Sequence, residues 1–256
     1  MQDKHLQEIY GISKANGEFL CFIDADDYID KEMIEVLYKA CVNNNVDISW
    51  CDKVLEIDND KQRTATICDK ECKMTKVEAL RKVLLHDTST CDKLYRKNIF
   101  NELIFPEDKF FEDIIAIYRI IEKADSVLHV GKAYYHYYQH SDSTVHKKFH
   151  IRKMDYAYNA KQFYEHICKH YKELTQEANA YYILALVSVI TDLYKYRKEF
   201  KKQYKELHNE YKIALKGNLN NKYIPFVKKV MCIFIRIHMV GFVELIKKIK
   251  DVIKYK

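Results

Sequence analysis

CFIDADDYID (21–30) sets four aspartates, Asp24, Asp26, Asp27 and Asp30, directly behind a short apolar run. That run, FLCFI (19–23), is entered through Gly17 and Glu18 and stopped by the acids, as a buried strand would be. Like charges crowded at a strand end repel, by about 1 kcal/mol per close pair in screened solvent. The stretch therefore asks for something positive beside it.

Three readings compete. A calcium loop would use Asp24, Asp26 and Glu35 at positions 1, 3 and 12, but Tyr28 and Ile29 stand where a ligand and the obligatory glycine belong, and a strand precedes the loop. In the second reading the acids merely start the next helix and face water, although Asp30 alone would serve as its cap. The third is a divalent-metal site that also holds phosphate. Aspartates at i and i+2 on the carboxyl end of a parallel strand project where ligands of α/β folds collect, and Mg²⁺ or Mn²⁺ takes one or two carboxylates with phosphate oxygens.

Outward from this stretch, strands and helices alternate. Asp30 is expected to cap a helix from about residue 31 to 41, with Met33, Ile34, Leu37 and Cys41 on one side. VDISWC (46–51) reads as a strand, and Thr75 to Glu78 has the form of a capping box. A helix over 113–123 turns Ile114, Ile117, Tyr118 and Ile121 inward. SVLHV (126–130) and AYYHYYQHSDST (133–144) read as two extended pieces. The order predicts an α/β fold. From about residue 150, Tyr- and Lys-rich stretches at helical spacing predict three or four helices, with breaks near 216–221 and Pro225. Their tyrosines read as packing.

With 256 residues, 48% hydrophobic and 31% charged, the chain can bury a sizeable core. A net charge of +6, well interspersed, does not argue for nucleic acid. Eight scattered cysteines read as reduced thiols of a cytoplasmic protein. Cys68, Cys72, His86 and Cys91 match no usual zinc spacing. Residues 222–256 combine apolar residues with nine Lys/Arg against two acids. They fit either an interfacial helix on anionic lipid, at the inner face of the cell membrane, or a packed helix with a solvated Lys face.

GISKANGEFLCFIDADDYID (11–30) resembles a segment of the family-2 glycosyltransferases. Gly11, Ala15, Gly17, Glu18, Phe19, Phe22, Asp24, Asp26 and Asp27 fall on its pattern. CDKLYRKNIF (91–100), FPEDKFFED (105–113) and YHYYQHSDST (135–144) resemble further motifs of that family, in its order. The resemblance implies a partial GT-A (Rossmann-like) mixed sheet with flanking helices over 1–150, lacking the N-terminal nucleotide-binding strands, and a helical region over 151–256. An open sheet edge would be long.

It also implies roles. Asp24 and Asp26 would be the nucleotide-sugar and metal contacts, for Mg²⁺ or Mn²⁺, with Asp27 supporting the turn or sharing the site. Asp113 would be the general base beside Glu112. Lys93 would approach the acceptor or donor phosphates, and His140 would stand where relatives carry Arg. The implied reaction is inverting sugar transfer from a nucleotide-diphosphate donor to a glycan or lipid-linked acceptor hydroxyl, in surface polysaccharide or similar glycan synthesis. The alternative is a non-catalytic, glycosyltransferase-like binding or scaffold module.

Overall fold

The computed structural model describes residues 4–57, 61–65, 68, 70–101, 110–139 and 149–243, which fall into two compact units, 1–148 and 149–256. The first unit is built on a mixed seven-stranded sheet. Helix α1 (Lys4–Lys14) precedes β1 (Phe19–Cys21) and β2 (Tyr28–Ile29), and α2 (Met33–Asn44) follows. Next come β3 (Ile48–Ile57), β4 (Lys61–Ala65), β5 (Cys72–Met74), α3 (Lys76–Leu85), β6 (Lys93–Arg96), α4 (Asp113–Lys123) and β7 (Val127–Gln139). The strand path is β1-β6-β3-β7-β2, with β4 on β3 and β5 on β7.

Strand β3 is the centre. Its residues 48–53 are buried on both faces, so each polar member needs an internal partner. The Ser49 hydroxyl donates to the Leu37 carbonyl at 2.8 Å, Asp52 lies 3.1 Å from His129 Nε2, and Lys53 pairs with Asp87 at 2.5 Å. Among the described residues only β3 and β7 pair in parallel; the other pairings are antiparallel, including β1 on β6. Asp24 and Asp26 thus follow an antiparallel strand, not the parallel one expected. The path ends in strands of three and two residues. The edge at β1 is short where a long one was expected, and a short edge offers little template for stray pairing.

Three local expectations change. Asp30 does not cap α2 with its side chain; its carbonyl accepts from Met33 N–H at 3.0 Å, and Glu32 holds the cap position. Residues 31 and 32 turn first, which rotates Ile34 outward and leaves Met33, Leu37, Ala40 and Cys41 buried. The two extended pieces expected around Gly131 are one strand, β7. Gly131 sits at φ 67°, and the register with β3 shifts there, so a glycine bulge carries the strand through where a Cβ would strike the Lys70 backbone at 2.2 Å. Residues 140–144 of the second piece lie outside the described residues. The capping box at Thr75 and Glu78 forms as expected.

The second unit is helical: α5 (Met154–His170), α6 (Thr175–Leu193), α7 (Lys201–Leu215) and α8 (Phe226–Arg236), with Pro225 at the start of α8. Helix α6 is buried on most sides. Its tyrosines pack: Tyr182 stacks on Tyr164 and donates its hydroxyl to Glu210 at 2.9 Å.

Candidate active site

The four aspartates divide between two tasks. Asp27 N–H donates to the Asp24 carbonyl at 3.1 Å, closing a turn over 24–27. The Asp27 carboxylate accepts from the Tyr135 hydroxyl at 2.6 Å and from Tyr138 N–H at 3.0 Å. Tyr135 also receives the Asp24 N–H at 3.2 Å, so one buried phenol locks the turn onto β7. Burial pushes the Asp27 carboxyl upward, and its two donors oppose that. Asp30 lies 3.2 Å from His136 Nε2, while His136 Nδ1 lies 2.9 Å from Glu56 and the ring stacks on Tyr28. Asp27 and Asp30 thereby each have a partner on β7.

Asp24 and Asp26 face a cleft of about 710 Å³. Its other wall is α1, where Glu8, Gly11 and Ile12 fall at i, i+3 and i+4 on one face, with Ala15 just past the helix end. A Cβ on Gly11 would meet nothing within 4 Å, so that face stands open. Cys21 and Tyr137 also line the cleft, and burial pushes the Cys21 thiol up to about 12, which keeps it protonated.

Asp113 opens α4, and its Oδ1 accepts from the Thr90 hydroxyl at 2.8 Å. Thr90 is itself fixed, since its carbonyl accepts from Tyr95 Oη at 2.6 Å. Just ahead, Phe111 takes φ 59°, a costly conformation for a bulky residue. Glu8, Glu112 and Asp113 bring carboxylate oxygens within 4.8 Å of one another. Two ionised carboxylates at that separation would repel by about 3 kcal/mol at an effective dielectric near 20, so the group is suited to a cation or a proton. The α4 N-terminus contributes a favourable dipole. Glu8 is common to both places: it lines the cleft with Asp24 and Asp26 and meets Glu112 and Asp113.

The sequence reading missed Glu8 and Thr90. The spacing of Glu8 to Gly11 and Ala15 was the available signal for the first; nothing local marks Thr90. Lys93 is 1% exposed, and its Nζ is taken by Asp92 at 2.5 Å, the Ser89 and Cys91 carbonyls at 2.9 and 3.3 Å, and the face of Trp50. Its three donors are spent inside the fold, so it does not point at a phosphate. His140 lies outside the described residues, as does 105–109 of the segment before Asp113. Cys68 and Cys72 approach to 2.9 Å between sulfurs, but among the described residues the only three-ligand grouping is the carboxylate one.

Residues 9–104 match the family described as Glycosyl transferase family 2. This part of the chain is similar to the family-2 glycosyltransferases. Curated relatives of the family-2 segment include the cholesterol galactosyltransferase of Borreliella burgdorferi, 28% identical over 147 residues, covering 52% of this chain and 41% of that protein. Another is glycosyltransferase GlyG of Streptococcus pneumoniae, 22% identical over 150 residues, covering 54% of this chain and 50% of that protein. The matches thus span about half the length of these relatives or less. Among solved structures, S. aureus TarS 1-349 in complex with UDP-GlcNAc is similar at a TM-score of 0.58 and 15% identity, over 93% of this chain and 69% of that one. TarS 1-349 alone gives 0.57 and 15%, over 96% and 70%. At that identity the likeness speaks for the fold, which is the GT-A mixed sheet with flanking helices and a helical C-terminal region.

Proposed function

We propose that this chain transfers a sugar from a nucleotide-diphosphate donor to a hydroxyl of a glycan or lipid-linked acceptor, with inversion at the anomeric carbon, in the synthesis of a surface polysaccharide or similar glycan. The observation that carries the reading is the division of the acids: Asp27 and Asp30 are spent on the fold, while Asp24 and Asp26 face the cleft. Mg²⁺ or Mn²⁺ suits two carboxylate oxygens with room for phosphate, so Asp24 and Asp26 are the residues that would hold it. When bound, such an ion offsets the charge growing on a departing diphosphate.

Asp113 is the general base of this reading. An acceptor hydroxyl must lose its proton as its oxygen attacks, and a carboxylate held by Thr90 keeps one orientation for that task. Glu112 and Glu8 border it and hold the acceptor side of the cleft. The match of the chain to sugar-transferring relatives agrees with this chemistry. A cytoplasmic location, peripheral at the inner membrane face, goes with a lipid-linked acceptor; among the described residues no helix is long and apolar enough to cross a membrane.

Calorimetry of the full chain with a panel of nucleotide-diphosphate sugars, with and without Mn²⁺, tests the reading. Mn²⁺-dependent binding that disappears in Asp24→Asn and Asp26→Asn is expected. Binding indifferent to both the metal and these substitutions would refute it, and binding without any turnover would leave a non-catalytic module.

A further inference from the structure

The second unit carries a charge pattern that its own core does not use. Residues 211–243 contain Lys212, Lys216, Lys222, Lys228, Lys229 and Arg236 and no Asp or Glu. Three of these, Lys212, Lys216 and Arg236, surround a pocket of about 520 Å³ floored by Tyr211. Their side chains make no hydrogen bond or ion pair among the described residues. Tyr211 is buried and donates its hydroxyl to the Cys232 carbonyl at 2.7 Å, which fixes α7 against α8 and so holds the cations from both helices around one space.

Apolar side chains stand exposed on the same two helices. On α7, Ile213 is 71% exposed, one residue after Lys212 and three before Lys216. On α8, Met231, Cys232 and Ile235 face the core, yet Phe226 (80% exposed), Ile233 (44%) and Ile237 (53%), just past the helix end, lie at i, i+7 and i+11 on the opposite face. Arg236 adjoins Ile237 and lies one turn from Ile233, so it belongs both to the pocket rim and to the flank of this stripe. A helix apolar on both faces, with Arg236 at its border, is costly in water.

We propose that this surface of α7 and α8 docks on an anionic bilayer, with a phosphate-bearing lipid headgroup in the Lys212–Lys216–Arg236 pocket and Ile213, Phe226, Ile233 and Ile237 in the acyl boundary. The charge pattern selects the anion, and the apolar stripe selects a lipid over a soluble phosphate, because a soluble anion gains nothing from exposed Phe and Ile. The helix lies on the membrane and does not span it. The surface is confined to the second unit and holds whether or not the cleft of the first transfers sugar.

Flotation of the full chain with phosphatidylcholine vesicles, with and without 30% phosphatidylglycerol, decides it. Native chain is expected to float with the anionic vesicles only. The variant K212Q/K216Q/R236Q should lose on the order of 100-fold in partitioning, from the loss of three surface cations. F226S/I237S should lose about tenfold or more through its exposed apolar positions. Both should keep the native melting temperature. Failure of the native chain to float, equal flotation with neutral vesicles, undiminished flotation of the charge variant, or displacement by millimolar inorganic phosphate with F226S/I237S unaffected would each overturn the proposal.

Discussion

Tyr135→Phe isolates the lock on the acidic turn. The substitution leaves the buried ring in place and removes one hydroxyl that donates to the Asp27 carboxylate at 2.6 Å and accepts the Asp24 N–H at 3.2 Å. A hydrogen bond to a charged group contributes roughly 1.5 to 3 kcal/mol, so a loss of about 2 kcal/mol is expected at pH 7. The sign of its pH dependence follows from Asp27. Burial already raises that carboxyl above 3.8, and Tyr135 is the largest influence pulling it back. A carboxyl raised by folding adds stability below its unfolded value and gives it up as pH rises through the folded one, so removing Tyr135 widens that window. The deficit of Tyr135→Phe should therefore shrink toward about 1 kcal/mol as pH falls to 3.5 and the carboxyl takes up its proton, because the bond lost is then increasingly a neutral one. Urea denaturation at the two pH values measures it. A deficit below 0.5 kcal/mol at pH 7, or one equal at both pH values, would refute the account.

Other perturbations separate the remaining claims. Asp113→Asn should abolish turnover while calorimetric donor binding stays nearly intact; equal loss of both would remove it as the base. Gly131→Ala should cost about 2 kcal/mol or more in denaturant titrations, because φ 67° and the Lys70 backbone at 2.2 Å both oppose a Cβ. Burial alone would raise the Asp87 carboxyl, but Lys53 and Lys93 outweigh it and hold it at about 2. Its contribution of about 2 kcal/mol is present above pH 3.8 and is lost as pH falls toward 2. The stability gap between native chain and Asp87→Asn should thus close between pH 4 and pH 2, and a gap unchanged over that range would count against the pairing.

What could be read from the sequence was what short spacing carries. The capping box, the inward face of α4 and the helical second unit all depend on contacts within a few residues, and each was expected. The acid motif was legible as a site because its residue types and spacing are specific. Which aspartate does which task was not, because the partners that decide it are distant in sequence: Tyr135 is 108 residues from Asp27, and His136 is 106 from Asp30. Lys93 misled for the same reason. A lysine in a motif looks like a ligand group until Asp92, Trp50 and two carbonyls are seen to enclose it. Strand β7 was divided in two because a glycine between apolar runs reads as a break, whereas the β3 pairing on both sides of Gly131 makes it a bulge.

The repulsion posed by the acidic stretch is resolved in two parts, and the order matters for function. Asp27 and Asp30 are engaged from within, by hydroxyl, amide and imidazole groups on β7, and the strand that supplies them pairs with β3 on both sides of Gly131. The turn is consequently held by its own hydrogen bonds and those to β7 without a ligand. Asp24 and Asp26 are then presented to the cleft at a fixed place, so that binding a cation there need not also order the loop. Glu8 adds a third carboxylate on the facing helix and connects this cleft to Asp113. A site with so many acids on its walls has only a weak hold on an anionic diphosphate unless positive charge enters with it. Under the proposed function that electrostatic requirement predicts metal-dependent donor binding, and Asp24→Asn should lower the affinity for Mn²⁺ alone as well as for the nucleotide.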